Sequence, residues 1–375
     1  MDNFAFIIHP IEVSDVSRKF KLMKHLPEGA VEKIMKNIPP VKVSHITGVK
    51  SPYNEIEGWF VGCPLTTRQM MNLPEDFVLK KIIQAGKLAE KLGARIVGLG
   101  AFTSVVGDAG VTIAQNLNIA VTTGNSYTVA TALEGAKKAA QIMGHDIKNS
   151  EVVIVGATGS IGKVCAQMLA KECKYMTLVG RQIKKLEDIA EKILREMGLS
   201  VRITSDIHSA LKRADVIITV TSSVDSVIDA DDLKPGAVVC DVARPRDVSK
   251  EVAEKRNDVL IIEGGVVEVP GDVDFHFNFG FPPKTSYACM AETMMLALEG
   301  RYENFTLGRE LTVKQVEEIS AIAKKHGFKL AGFRSFERAV TQSEIEAVKK
   351  NARAKLSVSM AKDSEYKAKP YIVTT

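Results

Sequence analysis

Gly156, Gly159 and Gly162 recur at three-residue spacing directly after the β-branched run Val152-Val-Ile-Val155, and residues 164–170 behind them are helix formers. A strand, a glycine turn and a helix in that order make a seat for a dinucleotide pyrophosphate. Glycine admits positive φ and close backbone approach, and a helix N-terminus offers unpaired N–H groups and the positive end of its dipole. The expected contacts are Gly156, Ala157, Thr158, Gly159, Ser160, Ile161 and Gly162. A tight turn with no ligand is the alternative. An NAD site places an acid at the end of its second strand, to hold the ribose 2′-OH. Here that strand ends Thr177-Leu-Val-Gly-Arg181, with Lys184 and Lys185 close behind. A guanidinium suits a 2′-phosphate, so NADPH is expected rather than NADH, unless Arg181 is only a surface residue at a helix start. Thr221 and Ser222, and then Gly264 and Gly265, follow two later strands. In open α/β sheets ligands lie beyond the carboxyl ends of strands, although structural turns have the same composition.

The second feature is Cys289, in Lys284-Thr-Ser-Tyr-Ala-Cys-Met-Ala-Glu-Thr293. It falls in the first turn of an expected helix, just after a stretch rich in Gly, Pro and aromatic residues. The helix dipole favours a thiolate there, and a thiolate can take an acyl group from a thioester by exchange. By residue type alone, a lone cysteine on a helix reads first as a small core residue. Cys63, Cys165, Cys173 and Cys240 have weaker settings near element ends or in expected core. His276 and His326 are the acid–base candidates, each with a structural role as the alternative. None of the seven tyrosines has Lys four positions later, so the Tyr-x-x-x-Lys pair of short-chain dehydrogenases is missing. No His-Glu-x-x-His or similar cluster occurs, so no protein-bound metal is expected from motifs.

These residues need a scaffold. Strands are expected over 4–8, 41–49, 57–63, 95–99 and 120–123, with helices over 15–23, 31–38, 76–92 and 128–144. From about 148 to 270, strands over 152–155, 176–179, 201–204, 216–220, 238–241 and 259–262 alternate with helices, which implies a right-handed parallel sheet. The fold class is α/β: an N-terminal α/β substrate domain over 1–145, then a Rossmann-like doubly wound parallel sheet over 146–270, with C-terminal helices. Residues 270–283 read as a loop, and 287–298 and 313–326 as helices. Residues 271–345 should pack back on the N-terminal domain, 334–361 read as polar and helical, and 346–375 form an extension ending in a loose tail of about a dozen residues. The basic extension is open to three uses: contacts in a homo-oligomer, a carrier-protein surface, or solvation.

A net charge of +5 over 375 residues is too mild to indicate nucleic acid. The five cysteines are odd in number and scattered, which argues against disulfides and for a reducing, cytoplasmic compartment. No signal peptide is visible, and no apolar run approaches the ~20 residues of a membrane span.

Several segments in order resemble the cyanobacterial long-chain acyl-acyl-carrier-protein reductases and their bacterial relatives. They are Gly100-Ala-Phe-Thr-Ser104, Thr122-Thr-Gly-Asn-Ser-Tyr-Thr128, Val153-Ile-Val-Gly-Ala-Thr-Gly-Ser-Ile-Gly162, Gly264-Gly-Val-Val-Glu268, Tyr287-Ala-Cys-Met-Ala-Glu292, Leu298-Glu-Gly300, Asn304-Phe305 with Gly308-Arg309, and Lys325-His-Gly-Phe328. The resemblance implies reduction of fatty acyl thioesters to fatty aldehydes with NADPH, through an acyl-cysteine at Cys289. It also implies a divalent cation such as Mg, for which no motif is readable. Pro270-Gly-Asp-Val-Asp-Phe-His-Phe-Asn-Phe-Gly-Phe-Pro-Pro283 departs from the cyanobacterial pattern, and the chain runs past that family's usual end from about Arg334. Acyl length and the choice between acyl carrier protein and coenzyme A therefore stay open. A more distant resemblance is to shikimate dehydrogenase and glutamyl-tRNA reductase, through Gly124-Asn125, Thr221-Ser-Ser223 and Asp241-Val-Ala-Arg-Pro-Arg-Asp247. The expected function is an NADPH-dependent acyl thioester reductase. The alternatives are a shikimate-type dehydrogenase of a small polar substrate, which would need a Lys/Asp pair rather than a thiol, and a nucleotide-binding sensor or carrier-protein module without turnover.

Overall fold

The computed structural model describes residues 2–16, 21–223, 225–243, 245–336 and 338–367. The chain forms two compact units. The first comprises Met1–Glu134, Gly159–Met168 and Gly264–Gly332; the second comprises Gly135–Thr158, Leu169–Glu263 and Phe333–Thr375. The first boundary thus falls inside the helix Asn125–Met143 rather than at 145, and residues 264–332 share a unit with the N-terminal strands.

The first unit is built on a six-stranded sheet in the order Gly271–Asp274, Val41–Lys50, Glu55–Gly62, Asp2–Ile8, Ile96–Leu99, Ala120–Thr122. The last four of these pair in parallel, while Val41–Lys50 pairs antiparallel with both its neighbours. Side chains alternate across the pleat: Ala5 and Ile7 enter one core, Phe4 and Phe6 the other. The first core is closed by Val78, Ile82, Ala85 and Ala89 of the helix Glu75–Lys91. The second is closed by the helix Ala288–Leu298, which is buried nearly all round. Fully burying a side chain the size of its Met294, Met295 or Leu296 contributes about 1.5–3 kcal/mol. Gly98 makes room for this helix, since a Cβ there would lie 2.0 Å from Thr293 Oγ1.

The second unit holds six parallel strands in the order Leu260–Glu263, Val238–Asp241, Val216–Thr219, Glu151–Val155, Tyr175–Val179, Arg202–Thr204. This is the doubly wound Rossmann order. The strand direction of travel reverses beside Glu151–Val155, where such folds bind nucleotides. Each central strand is buried along its length, which is why it reads as a continuous β-branched run.

Some expectations need correction. Residues 270–283 are not all loop, because Gly271–Asp274 is an edge strand on Val41–Lys50. Residues 334–361 are not all helix: Arg334–Ser335 and Arg338–Ala339 pair as a short hairpin before the helix Gln342–Lys367. Over 15–23 the described parts are Val13–Val16 and a 3-10 turn Lys21–His25; residues 17–20, Arg244 and the tail residues 368–375 lie outside the described residues.

Candidate active site

The start of the cysteine helix is fixed by a small sheet in the first unit. Thr285–Tyr287 pairs antiparallel with Val266–Glu268, and Ala288 N–H then donates to the Gly265 carbonyl at 2.6 Å. Gly265 has φ +85°, and a Cβ on it would press against Thr131 Oγ1 at 3.3 Å and Ala288 at 3.4 Å. Gly264 and Gly265 therefore lie beside the helix start. Cys289 is the second residue of the helix Ala288–Leu298 and is half-buried, whereas the other four cysteines are buried and none of the five is in a disulfide. Burial pushes the thiols of Cys63 and Cys165 up to about 12 and that of Cys173 to about 11, so these three stay protonated near neutral pH.

Gly124 lies directly against Cys289. It has φ +74°, and a Cβ there would sit 2.3 Å from both Cα and Cβ of the cysteine. Gly124 opens the helix Asn125–Met143, and its carbonyl accepts from Thr128 N at 3.2 Å and Thr128 Oγ1 at 2.8 Å. One turn after Cys289, the fully buried Glu292 accepts four hydrogen bonds. Its donors are Thr122 Oγ1 (2.5 Å), Ser126 Oγ (2.6 Å), Tyr127 N (2.9 Å) and Thr306 Oγ1 (3.0 Å). Burial raises the Glu292 carboxyl above its ordinary range, against the opposing effect of those donors.

Other family-like segments converge in the same unit. Asn304 Oδ1 accepts from Val121 N at 2.9 Å, Phe305 N donates to Val121 O at 3.0 Å, and Thr123 Oγ1 donates to Thr306 O at 2.7 Å. The turn at Gly100-Ala-Phe-Thr-Ser104 follows the strand Ile96–Leu99, and His9 Nε2 accepts from Phe102 N at 3.2 Å. Burial pushes the His9 imidazole down to about 4, so it is neutral, with Nδ1–H facing the Pro10 carbonyl at 3.0 Å.

The two histidines expected to do acid–base chemistry are each held by other protein groups. His326 is buried at the end of the helix Val313–His326, with Nδ1 on Ser51 Oγ at 2.9 Å and Nε2 on Glu299 Oε2 at 2.7 Å. Glu299 caps the far end of the cysteine helix, roughly 15 Å along the axis from Cys289 at 1.5 Å per residue. His326 is thus placed at the opposite end of that helix from Cys289, bonded to Ser51 and Glu299. His276 is exposed, with φ +47°; Nδ1 meets the His45 carbonyl at 2.9 Å and Nε2 meets Asp274 at 3.3 Å. Sequence reasoning quoted Gly124 and Glu292 within the segments that carry the resemblances but gave them no role, and it passed over Thr306 and His9. Glu292 also carried a physical signal, as the one charged residue in an otherwise uncharged helix.

In the second unit, Gly156 (φ +81°) and Ala157 donate N–H to the Val179 carbonyl at 3.0 and 3.1 Å. A Cβ on Gly156 would lie 2.9 Å from the Val220 carbonyl oxygen and 3.2 Å from Thr221 N. Thr158 lies over Gly180, next to the exposed Arg181. The buried Asp247 holds the next strand end, accepting from Thr221 N at 2.9 Å and from the hydroxyls of Thr219 and Thr221. Gly156, Ala157, Thr158, Arg181, Thr221 and Ser222 are thus gathered at the carboxyl ends of three adjacent strands. Gly159, and Ser160, Ile161 and Gly162 at the start of the helix Ser160–Leu169, follow in the chain and belong to the first unit. Among the residues of the second unit, the hydroxyls and the exposed guanidinium of Arg181 suit a dinucleotide. For the divalent cation the fit fails. Among the described residues no group of three or more His, Cys, Asp or Glu could hold a metal ion. Among the same residues no helix is long and apolar enough to cross a membrane.

Comparison with known proteins agrees with this class of fold. Residues 137–263 match the shikimate / quinate 5-dehydrogenase family. Over 92% of its length the chain is 31% identical to the aminotransferase PigE of Serratia sp., of which it spans only 42%. It is 27% identical to the long-chain acyl-[acyl-carrier-protein] reductase of Synechococcus elongatus, over 84% of this chain and 94% of that protein. It is 25% identical to glutamyl-tRNA reductase of Trichodesmium erythraeum, over 47% of this chain and 42% of that protein. Fold and relatives support a nucleotide-dependent oxidoreductase, distantly related to the acyl-carrier-protein reductases.

Proposed function

We propose that this chain reduces a fatty acyl thioester, of acyl carrier protein or coenzyme A, to a fatty aldehyde through an acyl-cysteine at Cys289. The observation that carries the reading is the setting of that thiol. Among five cysteines it alone is half-buried, in the first turn of a helix and against the backbone of Gly124. The segments that build this setting are those that resemble the acyl-carrier-protein reductases.

The thiolate of Cys289 attacks the thioester carbonyl, with N–H groups at its helix start as candidate donors to the oxyanion. Collapse forms the Cys289 thioester and expels the carrier thiolate. Arg181 would hold the 2′-phosphate and Gly156 to Gly162 the pyrophosphate of NADPH, which would supply a hydride when bound. Reduction of the acyl-cysteine would let Cys289 leave as its thiolate while the aldehyde is released. Expulsion of a thiolate needs no strong acid, so neither His276 nor His326 is assigned a step. The Serratia relative is named an aminotransferase, and transamination consumes a carbonyl compound, which is the kind of product proposed here.

A second reading, a shikimate-type dehydrogenase of a small polar substrate, is favoured by the family match over 137–263. That match covers the nucleotide-binding sheet and leaves the substrate unassigned. The two readings separate in one assay. NADPH absorbance is followed with hexadecanoyl thioesters and, separately, with shikimate or quinate and NADP. Oxidation of NADPH with release of hexadecanal supports the thioester reading. Turnover only of the polar alcohols would overturn it, and turnover of neither would leave a binding module as the better account.

A further inference from the structure

The mechanism above leaves unused a buried charged group one turn from its nucleophile. Glu292 is the one charged side chain of the helix Ala288–Leu298, and its carboxylate is fully enclosed. It stands three positions after Cys289, so the two share a face of the helix. All four of its donors come from chain outside that helix, and three of them, Thr122, Ser126 and Tyr127, flank Gly124. Tyr127 N–H is one of the orphan donors in the first turn of the helix Asn125–Met143, where an acidic acceptor is also favoured by the dipole. The carboxylate therefore caps one helix while belonging to another. Between the two lies the contact of Gly124 with Cα and Cβ of Cys289.

We propose that Glu292 is the positioning residue of the nucleophile: its side chain sets the distance between the turn at Gly124 and the start of the cysteine helix, and so the direction in which Cys289 meets the acyl carbonyl. This rests on the reading of Cys289 as the acylated group. What the arrangement requires is reach and an acceptor oxygen. A glutamine in this place keeps an oxygen toward Tyr127 N–H and Ser126, while its amide faces Thr122 and Thr306, whose hydroxyls can turn to accept. An aspartate keeps the charge but is one methylene short of the cap.

The test measures two rates at Cys289 in the full-length chain without NADPH. One is acylation by hexadecanoyl thioesters of coenzyme A and of acyl carrier protein, read by mass spectrometry. The other is alkylation by iodoacetamide, a small reagent with little demand on attack direction. Glu292→Asp is expected to slow acylation by about tenfold or more, as sub-ångström to 1 Å misplacements do, while alkylation changes by less than about twofold. Glu292→Gln is expected to restore acylation to within about threefold of the unsubstituted chain. Unchanged acylation in Glu292→Asp overturns the proposal. So does parallel loss of both rates, which marks a general loss of structure, and so does a Glu292→Gln chain as slow as Glu292→Asp, which would make charge the determinant. Failure of the unsubstituted chain to be acylated by either thioester overturns instead the reading of Cys289 itself.

Discussion

Gly124 and Cys289 are in backbone contact, so close that a single added Cβ on the glycine would lie 2.3 Å from two atoms of the cysteine. They are 165 residues apart in the chain (289 − 124) and meet because two helices begin at the same place. The positive φ of Gly124 and this contact both forbid a side chain.

Gly124→Ala should therefore damage the site and the fold together. The left-handed backbone alone costs an alanine about 1–2 kcal/mol, and the clash must push the turn away from the thiol. Thermal denaturation should show a lower Tm, and NADPH oxidation with a hexadecanoyl thioester should be nearly lost. Unchanged activity in this variant would mean that the contact has no bearing on the thiol.

Arg181→Ala tests the nucleotide. Loss of a charge-assisted contact worth about 1.5–3 kcal/mol corresponds to roughly a 10–100-fold rise in KM for NADPH, with KM for NADH little changed. An equal rise for both nucleotides would remove the 2′-phosphate role.

His326→Ala is predicted to act on stability. Ser51 Oγ and Glu299 Oε2 each lose one hydrogen bond, while the N–H groups of Tyr53 and Asn54 still reach Ser51 Oγ at 3.2 Å and Lys325 still reaches Glu299 at 2.7 Å. Losing a hydrogen bond of this kind costs about 0.5–1.5 kcal/mol, and more where the partner is charged, so urea or thermal unfolding should shift while kcat at 25 °C holds. A selective collapse of kcat with an unshifted Tm would return His326 to the chemistry.

His9 gives a pH dependence with a definite sign. Burial pushes its imidazole down from the usual 6.5 to about 4. Between those values the unfolded chain binds a proton that the folded chain does not. The contribution to stability is therefore full above 6.5 and is lost as pH falls toward 4, by at most roughly 3 kcal/mol. Urea unfolding at pH 7 and pH 5 should differ less in His9→Gln, whose oxygen can still accept from Phe102 N–H. An undiminished difference would place the acid sensitivity elsewhere.

The parallel sheet of the second unit is legible in the sequence because its strands are buried on both faces. Runs such as Val152-Val-Ile-Val155 and Val216-Ile-Ile-Thr219 leave little else to be, and the glycine turn follows in register. Cys289 at a helix start is legible from the break at Pro282-Pro283 and the uncharged run behind it. Two- to four-residue strands such as Val266–Glu268, Gly271–Asp274 and Arg334–Ser335 are not, being too short to carry a period. Partners far along the chain are equally hidden. Nothing local to His326 points to Ser51, and nothing local to Glu292 points to hydroxyls at 122, 126 and 306.

The central claim is that Cys289 takes the acyl group, and mass spectrometry of the chain mixed with a hexadecanoyl thioester in the absence of NADPH addresses it most directly. The account predicts one hexadecanoyl adduct, on Cys289, absent in Cys289→Ser and discharged as hexadecanal when NADPH is added. An adduct on another cysteine, or none at all while NADPH oxidation proceeds, would contradict it.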